Sequence, residues 1–197
     1  MKLSSQAFDA ALKASLRLLQ RRQIPYMVMG GLGLSVWGRV RVTQDVDLVI
    51  GLHERDEEDF INGLIKAHFL PAAPKAIVGH RLLVCRYLKT TKGLPIEVDF
   101  FFARGAYQKQ ALRRAIKVAL GRLEIRVIAP EDLILHKLLA DRPIDRLDVQ
   151  TIFEEQAGRL NTKYLTRWAR RLGFSAALAT LLKGSKSKPV HVNSGKI

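Results

Sequence analysis

Cysteine is nearly absent from this sequence of 197 residues, which contains only one, Cys85. A single cysteine excludes an internal disulfide and is typical of a protein from a reducing compartment. Because Cys85 follows the apolar residues Leu82, Leu83 and Val84, we interpret it as a packed small hydrophobic residue rather than a reactive nucleophile.

Long apolar runs are also missing, since none approaches the ~20 residues that a membrane-spanning helix needs. The opening segment, MKLSSQAFDA, has no hydrophobic stretch after its lysine, so no signal peptide is expected. These two absences predict a cytoplasmic protein without a membrane partner. The histidines lack the spacing of metal ligands, which argues against a zinc site.

Acidic residues are few relative to basic ones, with 18 Asp and Glu against 33 Lys and Arg and a formal net charge of +15. Such a balance commonly marks attraction to a polyanion, above all nucleic acid. Solubility, or a genome that favours arginine, is the alternative explanation. Hydrophobic residues make up 48% of the chain, which is normal for a globular protein with a sizeable core.

Hydrophobic periodicity and turn residues divide the chain into short strands and helices. Strands are predicted at Tyr26–Met29, Asp45–Ile50, Leu82–Leu88, Ile96–Phe102 and Leu123–Ile128. Helices are predicted from Ser4 or Ser5 to near Gln23, and at Leu32–Trp37, Glu54–Phe69, Ala106–Leu120, Leu133–Ala140, Asp145–Gln156, Thr162–Arg171 and Ser175–Leu182. We divide the chain into a core over residues 1–128, a helical C-terminal subdomain over 129–183 and a polar tail over 184–197 that is expected to be disordered.

The stretch Gly30–Ile50 carries the densest set of candidate functional residues. Gly30 and Gly31 follow one predicted strand and precede a predicted helix, so their backbone amides can face an anion near the helix N-terminus. Asp45 and Asp47 lie two residues apart in the next strand, so both carboxylates project from one face. Because paired carboxylates repel, a divalent cation with oxygen ligands, Mg²⁺ or Mn²⁺, is the usual remedy.

A further carboxylate, Asp99, lies in the middle of the apolar strand Ile96–Phe102. Alternation places Asp99 on one face with Glu97, and Val98 on the other face. A carboxylate in so apolar a strand needs a partner. Asp99 is therefore the natural third metal ligand. Glu97 is expected to be exposed at the start of the strand, and a supporting role beside the metal ligands is the alternative.

The order of these residues resembles a known signature, that of the nucleotidyltransferase superfamily with the DNA polymerase β-like fold. The matching positions are Gly30, Gly31, Gly38, Arg41, Thr43, Asp45 and Asp47. The likeness is greatest to bacterial minimal nucleotidyltransferases and the AbiEii toxin family. It implies an α+β (α/β) fold in which a small mixed β-sheet is flanked by helices and followed by a C-terminal helical segment. It also implies transfer of a nucleoside monophosphate from an NTP to a hydroxyl, with two metal ions on Asp45, Asp47 and Asp99.

A second resemblance lies in the run Val127–Val149, at Pro130, Glu131, Asp132, Lys137, Arg142, Asp145 and Asp148. It implies that Lys137 contacts the triphosphate and that Asp145 or Asp148 orients the nucleotide site. The alternative reading of Asp145 is a helix-start residue without a functional role. Nucleotide binding would further involve Gly30, Gly31, Arg41 and Thr43; an internal salt bridge for Arg41 and a bracing role for Thr43 remain open alternatives.

The sequence departs from the family pattern at Leu32, where many relatives carry Ser or Thr directly after the glycine pair. This departure keeps open an alternative function, a non-catalytic RNA- or partner-binding module that retains the fold. A phosphohydrolase using the same carboxylates is a third candidate. For the enzyme, the positive charge favours RNA as acceptor, and the toxin-like resemblance implies a tRNA 3′ end and an antitoxin partner. A protein hydroxyl or a small molecule is also open.

Overall fold

The computed structural model describes residues 2–41, 43–78, 82–121 and 123–186. The helices are α1 (Lys2–Arg21), α2 (Gly30–Trp37), α3 (Glu57–Lys66), α4 (Ala106–Arg114), α5 (Pro130–Ala140), α6 (Pro143–Glu155), α7 (Thr162–Leu172) and α8 (Ser175–Lys186), with a 3₁₀ turn at Glu54–Asp56. The strands are β1 (Tyr26–Val28), β2 (Asp45–Ile50), β3 (Leu70–Pro71), β4 (Ala76–Val78), β5 (Leu82–Thr91), β6 (Leu94–Phe102), β7 (Ile116–Leu120) and β8 (Leu123–Val127).

The strands in the described ranges form one mixed sheet with the order β3-β5-β6-β2-β1-β8-β7, and β4 pairs with β5. The pairs β2–β6 and β1–β8 are parallel, whereas the other pairs are antiparallel. Helices flank this sheet, and α5 to α8 follow it in the chain. The predicted fold class, a small mixed sheet flanked by helices with a helical C-terminal segment, is confirmed.

The register of three neighbouring strands places charged side chains in one row across the sheet. Asp47 on β2 is opposite Asp99 on β6, and Asp99 is opposite Arg86 on β5. Asp45 is opposite Glu97 in the adjacent row. Because directly opposed residues project from the same face of a sheet, this register brings the three aspartates to one side.

The opposite face of these strands forms the hydrophobic core. Leu48, Val98 and Phe100 are fully buried there, and the Phe100 ring makes edge contacts with Phe60 and Phe69 at centroid distances of 5.4 and 6.2 Å. Each fully buried side chain of this size contributes about 1.5–3 kcal/mol of transfer free energy. The core therefore anchors β2 and β6, and thereby fixes where their carboxylates point.

A buried carboxylate ties together three elements of the C-terminal half. Asp132 on α5 accepts hydrogen bonds from Arg114 Nε (2.9 Å) on α4 and from Tyr164 Oη (2.6 Å) on α7. Glu131 beside it pairs with the same arginine at 2.6 Å. These two acids of the Val127–Val149 run thus act in packing rather than at a ligand site.

The helix predicted over Ala106–Leu120 is wrong in its second half, because α4 ends at Arg114 and β7 follows. Val118 and its neighbours alternate along β7 and pair with β8 through a tight turn at Gly121, whose φ is +59°. Glycine accepts this left-handed conformation without the cost imposed by a Cβ. Sheet pairing therefore outweighs the helical periodicity of the segment.

Several element ends also differ from the predicted ones. Helix α1 starts at Lys2, and α8 continues to Lys186, so the predicted tail is helical in its first residues, 184–186. The remainder of the predicted disordered tail, 187–197, lies outside the described residues. The boundary between residues 128 and 129 falls between β8 and α5, and the division into a core and a helical subdomain stays a prediction. Within the described ranges, no helix has both the length and the apolar character to cross a membrane.

Candidate active site

The three aspartates on β2 and β6 face a cleft of about 400 Å³. We refer to Asp45, Asp47 and Asp99 together as the acidic row. The cleft is also lined by the other predicted site residues Gly30, Gly31, Arg41, Thr43 and Lys137. Asp145 and Asp148 do not line the cleft and lie behind it, where both are buried. The structure therefore brings eight of the ten predicted site residues to a single cavity.

Asp47 stands at the centre of this electrostatic arrangement. Burial, followed by the charges of Asp45 and Asp99, raises the pKa of the Asp47 carboxyl from 3.8 to about 7, although Arg142 and Arg86 act in the opposite direction. In the part of the chain that the structure describes, no donor is hydrogen-bonded to this carboxylate. Asp47 is thus the carboxylate with the most to gain from a cation.

Asp99 is already engaged by a bidentate ion pair. Arg86 donates from Nε to Oδ1 (2.8 Å) and from Nη2 to Oδ2 (2.7 Å) of Asp99. The same guanidinium lies 3.1 Å from Glu97. Because Asp99 is only 3% exposed, the pair neutralises a carboxylate that would otherwise be buried alone.

The glycine pair forms the first turn of α2 rather than a separate turn before it. Gly30 has φ +60°, and a Cβ built there would lie 1.8 Å from Oδ2 of Asp47. A Cβ at Gly31 would lie 2.7 Å from Thr43. Only glycine therefore lets the start of α2 approach the carboxylates. The backbone N–H groups of this first turn lack partners within the helix, which makes the turn suitable for binding an anion.

The loop between α2 and β2 positions Asp45. Thr43 Oγ1 donates a hydrogen bond of 2.5 Å to Oδ1 of Asp45. Ser35 Oγ lies 3.0 Å from the Gly31 carbonyl and 3.2 Å from the Arg41 carbonyl. Ser35 thus ties the helix to the loop, and Thr43 has the bracing contact that its sequence position left open.

A buried ionic network lies beneath one wall of the cleft. Lys137 Nζ on α5 is 3.0 Å from Asp145 and 2.8 Å from Asp148, both on α6. Asp148 is also 3.0 Å from Arg39 and 3.4 Å from Arg41. The internal salt bridge considered for Arg41 is therefore present, while the Arg41 side chain remains 44% exposed.

Arg142 joins this network from the rim of the cleft. Its Nε and Nη2 donate to Asp145 at 2.7 and 3.1 Å, and 66% of its side chain is exposed. Asp145 and Asp148 thus hold the side chains of Lys137, Arg41 and Arg142 in place. The two aspartates would therefore act on a nucleotide only indirectly, by positioning these basic side chains.

The donor chemistry fits Mg²⁺ or Mn²⁺, since the acidic row offers only oxygen ligands. The raised pKa of Asp47 is the observation that supports a cation here. Within the described ranges, however, no three Asp, Glu, His or Cys side chains are already gathered in the arrangement of a metal site. Asp99 is the aspartate whose charge is already paired, because both of its oxygens accept hydrogen bonds from Arg86. Each carboxylate oxygen has a second lone pair, so a cation at Asp99 would compete with Arg86 for its charge without having to displace it.

Sequence reasoning missed Arg86 and gave no role to Gln108, although both line the cleft. The pattern that identified Asp99, a single charged residue within an apolar strand, also applies to Arg86 and could have identified it. His136 packs against the Tyr107 ring and also lines the cleft beside Lys137. For Gln108 the sequence carries no signal, because a glutamine in a basic helix is ordinary.

The fold and the acidic cleft define a nucleotidyltransferase-like protein, and the comparisons agree. An antigenic nucleotidyltransferase-like protein from Paracoccidioides brasiliensis superposes with a TM-score of 0.50, at 19% identity over 92% of each chain. The antibiotic-resistance factor ANT(2″)-Ia superposes with a TM-score of 0.54, at 11% identity over 88% of this chain and 95% of that one. Likeness at such identities shows a shared fold. No curated protein shows significant sequence similarity.

A family model covers most of the chain. The family described as "Nucleotidyl transferase of unknown function (DUF2204)" matches residues 8–172. The chain therefore belongs to this family, and with it to the nucleotidyltransferase superfamily; it is a nucleotidyltransferase. The closer resemblance to AbiEii toxins is not part of this match.

Proposed function

We propose that the protein transfers a nucleoside monophosphate from an NTP to an acceptor hydroxyl in a metal-dependent reaction. The observation that supports this most is the register of β2 and β6, in which Asp47 is opposite Asp99 and two residues along the strand from Asp45. All three carboxylates face the cleft into which the glycine turn at Gly30 also opens. Anion-binding amides next to cation-binding carboxylates suit a metal–triphosphate substrate.

In this proposal the triphosphate lies against the first turn of α2. The free N–H groups of that turn face its oxygens, which accept hydrogen bonds. Arg142 and Arg41 are partly exposed at the cleft and neutralise the negative charge of the phosphates. Lys137 lies deeper, and its ammonium acts on the triphosphate from its place between Asp145 and Asp148.

The reaction forms one bond at the α-phosphorus and breaks another. The acceptor oxygen attacks, its proton is lost to water, and the bond to the bridging oxygen of the β-phosphate breaks to release pyrophosphate. Mg²⁺ or Mn²⁺ on Asp45, Asp47 and Asp99 would supply charge stabilisation to the attacking and leaving oxygens. Thr43 keeps Asp45 oriented through its 2.5 Å hydrogen bond, and the Gly30 turn would bind phosphate oxygens next to the carboxylates.

The acceptor in this proposal is RNA, with a tRNA 3′ end as the specific candidate. The net charge of +15 supports a polyanionic acceptor. Helix α7 adds support, because Lys163, Arg167, Arg170 and Arg171 are exposed on it and form no ion pair with any described acidic residue. The role of a toxin neutralised by an antitoxin protein rests on motif resemblance alone.

Incubation with each α-³²P-labelled NTP, Mg²⁺ and total cellular RNA or protein tests the proposal. We expect label in RNA with the wild type and none with Asp47→Asn. The exposed change Asp9→Asn on α1 is the matched control and should leave labelling intact. Label in protein would correct the acceptor, and absence of label from every acceptor would count against the proposed reaction.

A second candidate is a non-catalytic RNA- or partner-binding module. Two observations favour it: Leu32 stands where relatives carry a hydroxyl and packs against the core, and Arg86 binds both oxygens of Asp99. Calorimetric titration with NTP and Mg²⁺ separates the two functions, because an enzyme shows metal-dependent binding that Asp47→Ala abolishes. The phosphohydrolase alternative would release inorganic phosphate without pyrophosphate.

A further inference from the structure

The lining of the cleft changes from acidic to apolar over two residues along the strands. Along β6, Phe101 is the next residue after Asp99 on the same face, and it is opposite Val84 on β5. The acidic row is therefore followed by an apolar row about 7 Å further along the sheet. We refer to Phe101 and Val84 as the apolar end of the cleft. Leu133 and Leu139 of α5 add apolar surface to the cleft lining.

Two polar side chains in the cleft wall have polar atoms without a hydrogen-bond partner among the described residues. Gln108 on α4 is only 8% exposed, and its amide makes no hydrogen bond to any described residue. The Nε2 atom of His136 is buried and likewise has no hydrogen-bond partner in the described part of the chain. Leaving the buried Nε2 atom unpaired costs about 1–3 kcal/mol, so its presence calls for an explanation.

The electrostatics of His136 indicate which kind of ligand suits it. Burial lowers the pKa of the imidazole to about 4, so the ring is neutral at physiological pH. The Tyr107 ring packs against it at a centroid distance of 5.4 Å. A neutral imidazole carries one donor and one acceptor, and a glutamine amide carries both kinds of group. Such a pair is suited to a flat, uncharged heterocycle rather than to a phosphate.

We propose that the apolar end of the cleft holds the nucleobase of the NTP, and that Gln108 and His136 hydrogen-bond to its polar edge and so determine which NTP is used. The proposal rests on the proposed nucleotidyl transfer. His136 and Lys137 are consecutive on α5, so the base would lie next to the cations that contact the phosphates. The volume of about 400 Å³ is within the range of roughly 300–1,000 Å³ that is typical of small-molecule sites.

The test compares the binding of the four NTPs and of inorganic tripolyphosphate, each with Mg²⁺, by calorimetry. We expect the wild type to prefer one NTP by about tenfold or more, which corresponds to one good hydrogen bond to a buried group. Gln108→Leu and His136→Phe should reduce that preference to less than about threefold and leave tripolyphosphate affinity unchanged. Gln110→Leu is the matched control, since Gln110 lies on the same helix but does not line the cleft.

The outcomes separate this inference from the proposed function. If the wild type binds neither NTP nor tripolyphosphate, nucleotidyl transfer and nucleobase recognition both fail. If it binds all four NTPs equally, or if the variants keep the ratios seen with Gln110→Leu, only nucleobase recognition fails. Tripolyphosphate binding shows that each variant is folded, and the two substitutions on different helices give independent readings.

Discussion

At the scale of single residues, the main feature of the cleft is a group of carboxylates that are placed together at an energetic cost. Asp45, Asp47 and Asp99 share one face of the sheet, and the pKa of Asp47 rises to about 7 because of its burial and its acidic neighbours. Ionisable groups whose pKa is shifted by burial and by like charges are often found at functional sites. In the proposed reaction, relief of the repulsion between the three carboxylates would favour the binding of a divalent cation at this position.

Replacing Asp47 by asparagine should stabilise the metal-free protein at pH 8. The folded-state pKa of about 7 lies above the value of 3.8 for the unfolded chain. The folded state therefore binds more protons between these values, and Asp47 lowers stability as the pH rises through that window. The difference in Tm between Asp47→Asn and wild type in EDTA should thus grow from pH 4 to pH 8. A constant difference across this range would contradict the assigned environment.

Replacing Arg86 by methionine should make the stability of the protein depend on metal. Without the guanidinium, Asp99 is left buried without its partner, and unfolding in EDTA should become easier by about 2 kcal/mol, less than for a fully buried pair. Mn²⁺ should then raise the Tm more in Arg86→Met than in wild type, because the ion no longer competes with the arginine. Lys117→Met, which breaks an exposed pair with Glu124, is the control and should have little effect. Equal Mn²⁺ responses in all three proteins would count against a cation at Asp99.

At the scale of secondary-structure elements, the turn from β1 into α2 determines whether the phosphate and metal sites lie side by side. Two glycines with positive φ provide a matched comparison. Gly30 (φ +60°) approaches Asp47, whereas a Cβ at Gly93 (φ +77°) would meet no atom within 4 Å. Both backbones disfavour a side chain by about 1–2 kcal/mol. Only Gly30 adds a collision with a site residue.

We therefore expect Gly30→Ala to abolish NTP binding and Gly93→Ala to reduce stability only by the backbone cost. Calorimetric titration with NTP and Mg²⁺, together with thermal unfolding of both variants, measures the two effects separately. Retention of wild-type NTP affinity by Gly30→Ala would show that the triphosphate does not use this turn.

The sequence was informative where a local pattern carries the signal, and silent where distant residues meet. Alternation along β6 was enough to place Asp99 on a different face from Val98. The ion pair of Asp148 with Arg39 was not predictable, because 109 residues separate the two. The β7–β8 hairpin was missed for a related reason, since Val118 has helical neighbours in sequence but a strand partner in space.

At the scale of the whole molecule, the positive charge is concentrated on particular helices, so its contribution to RNA binding can be tested helix by helix. Helix α7 has exposed lysine and arginine and no acidic residue, and it packs near α4 and α5 through Tyr164. Unlike Arg167 and Arg171, Lys163 and Arg170 have no contact with a described aromatic ring, so their charged groups are available to phosphates. Helices α1 and α3 lie over the other face of the sheet, where Lys13 and Lys66 are also exposed.

Neutralising Lys163 and Arg170 together, each to glutamine, should weaken binding of single-stranded RNA and flatten its salt dependence. If both contact phosphates, the slope of log K against log salt should fall in magnitude by about 1.4. The Lys13→Gln and Lys66→Gln double variant removes the same charge from the other face and should leave the slope unchanged. Equal effects of the two double variants would mean that net charge alone, and not α7, attracts RNA.

The most direct measurement of the central claim is a crystal structure with Mn²⁺ and an NTP analogue whose α–β bridge cannot be cleaved. We predict anomalous signal from manganese in contact with Asp45, Asp47 and Asp99, and phosphate oxygens against the Gly30 turn. Manganese bound away from these three carboxylates, or none bound while Arg86 still holds both oxygens of Asp99, would contradict the account.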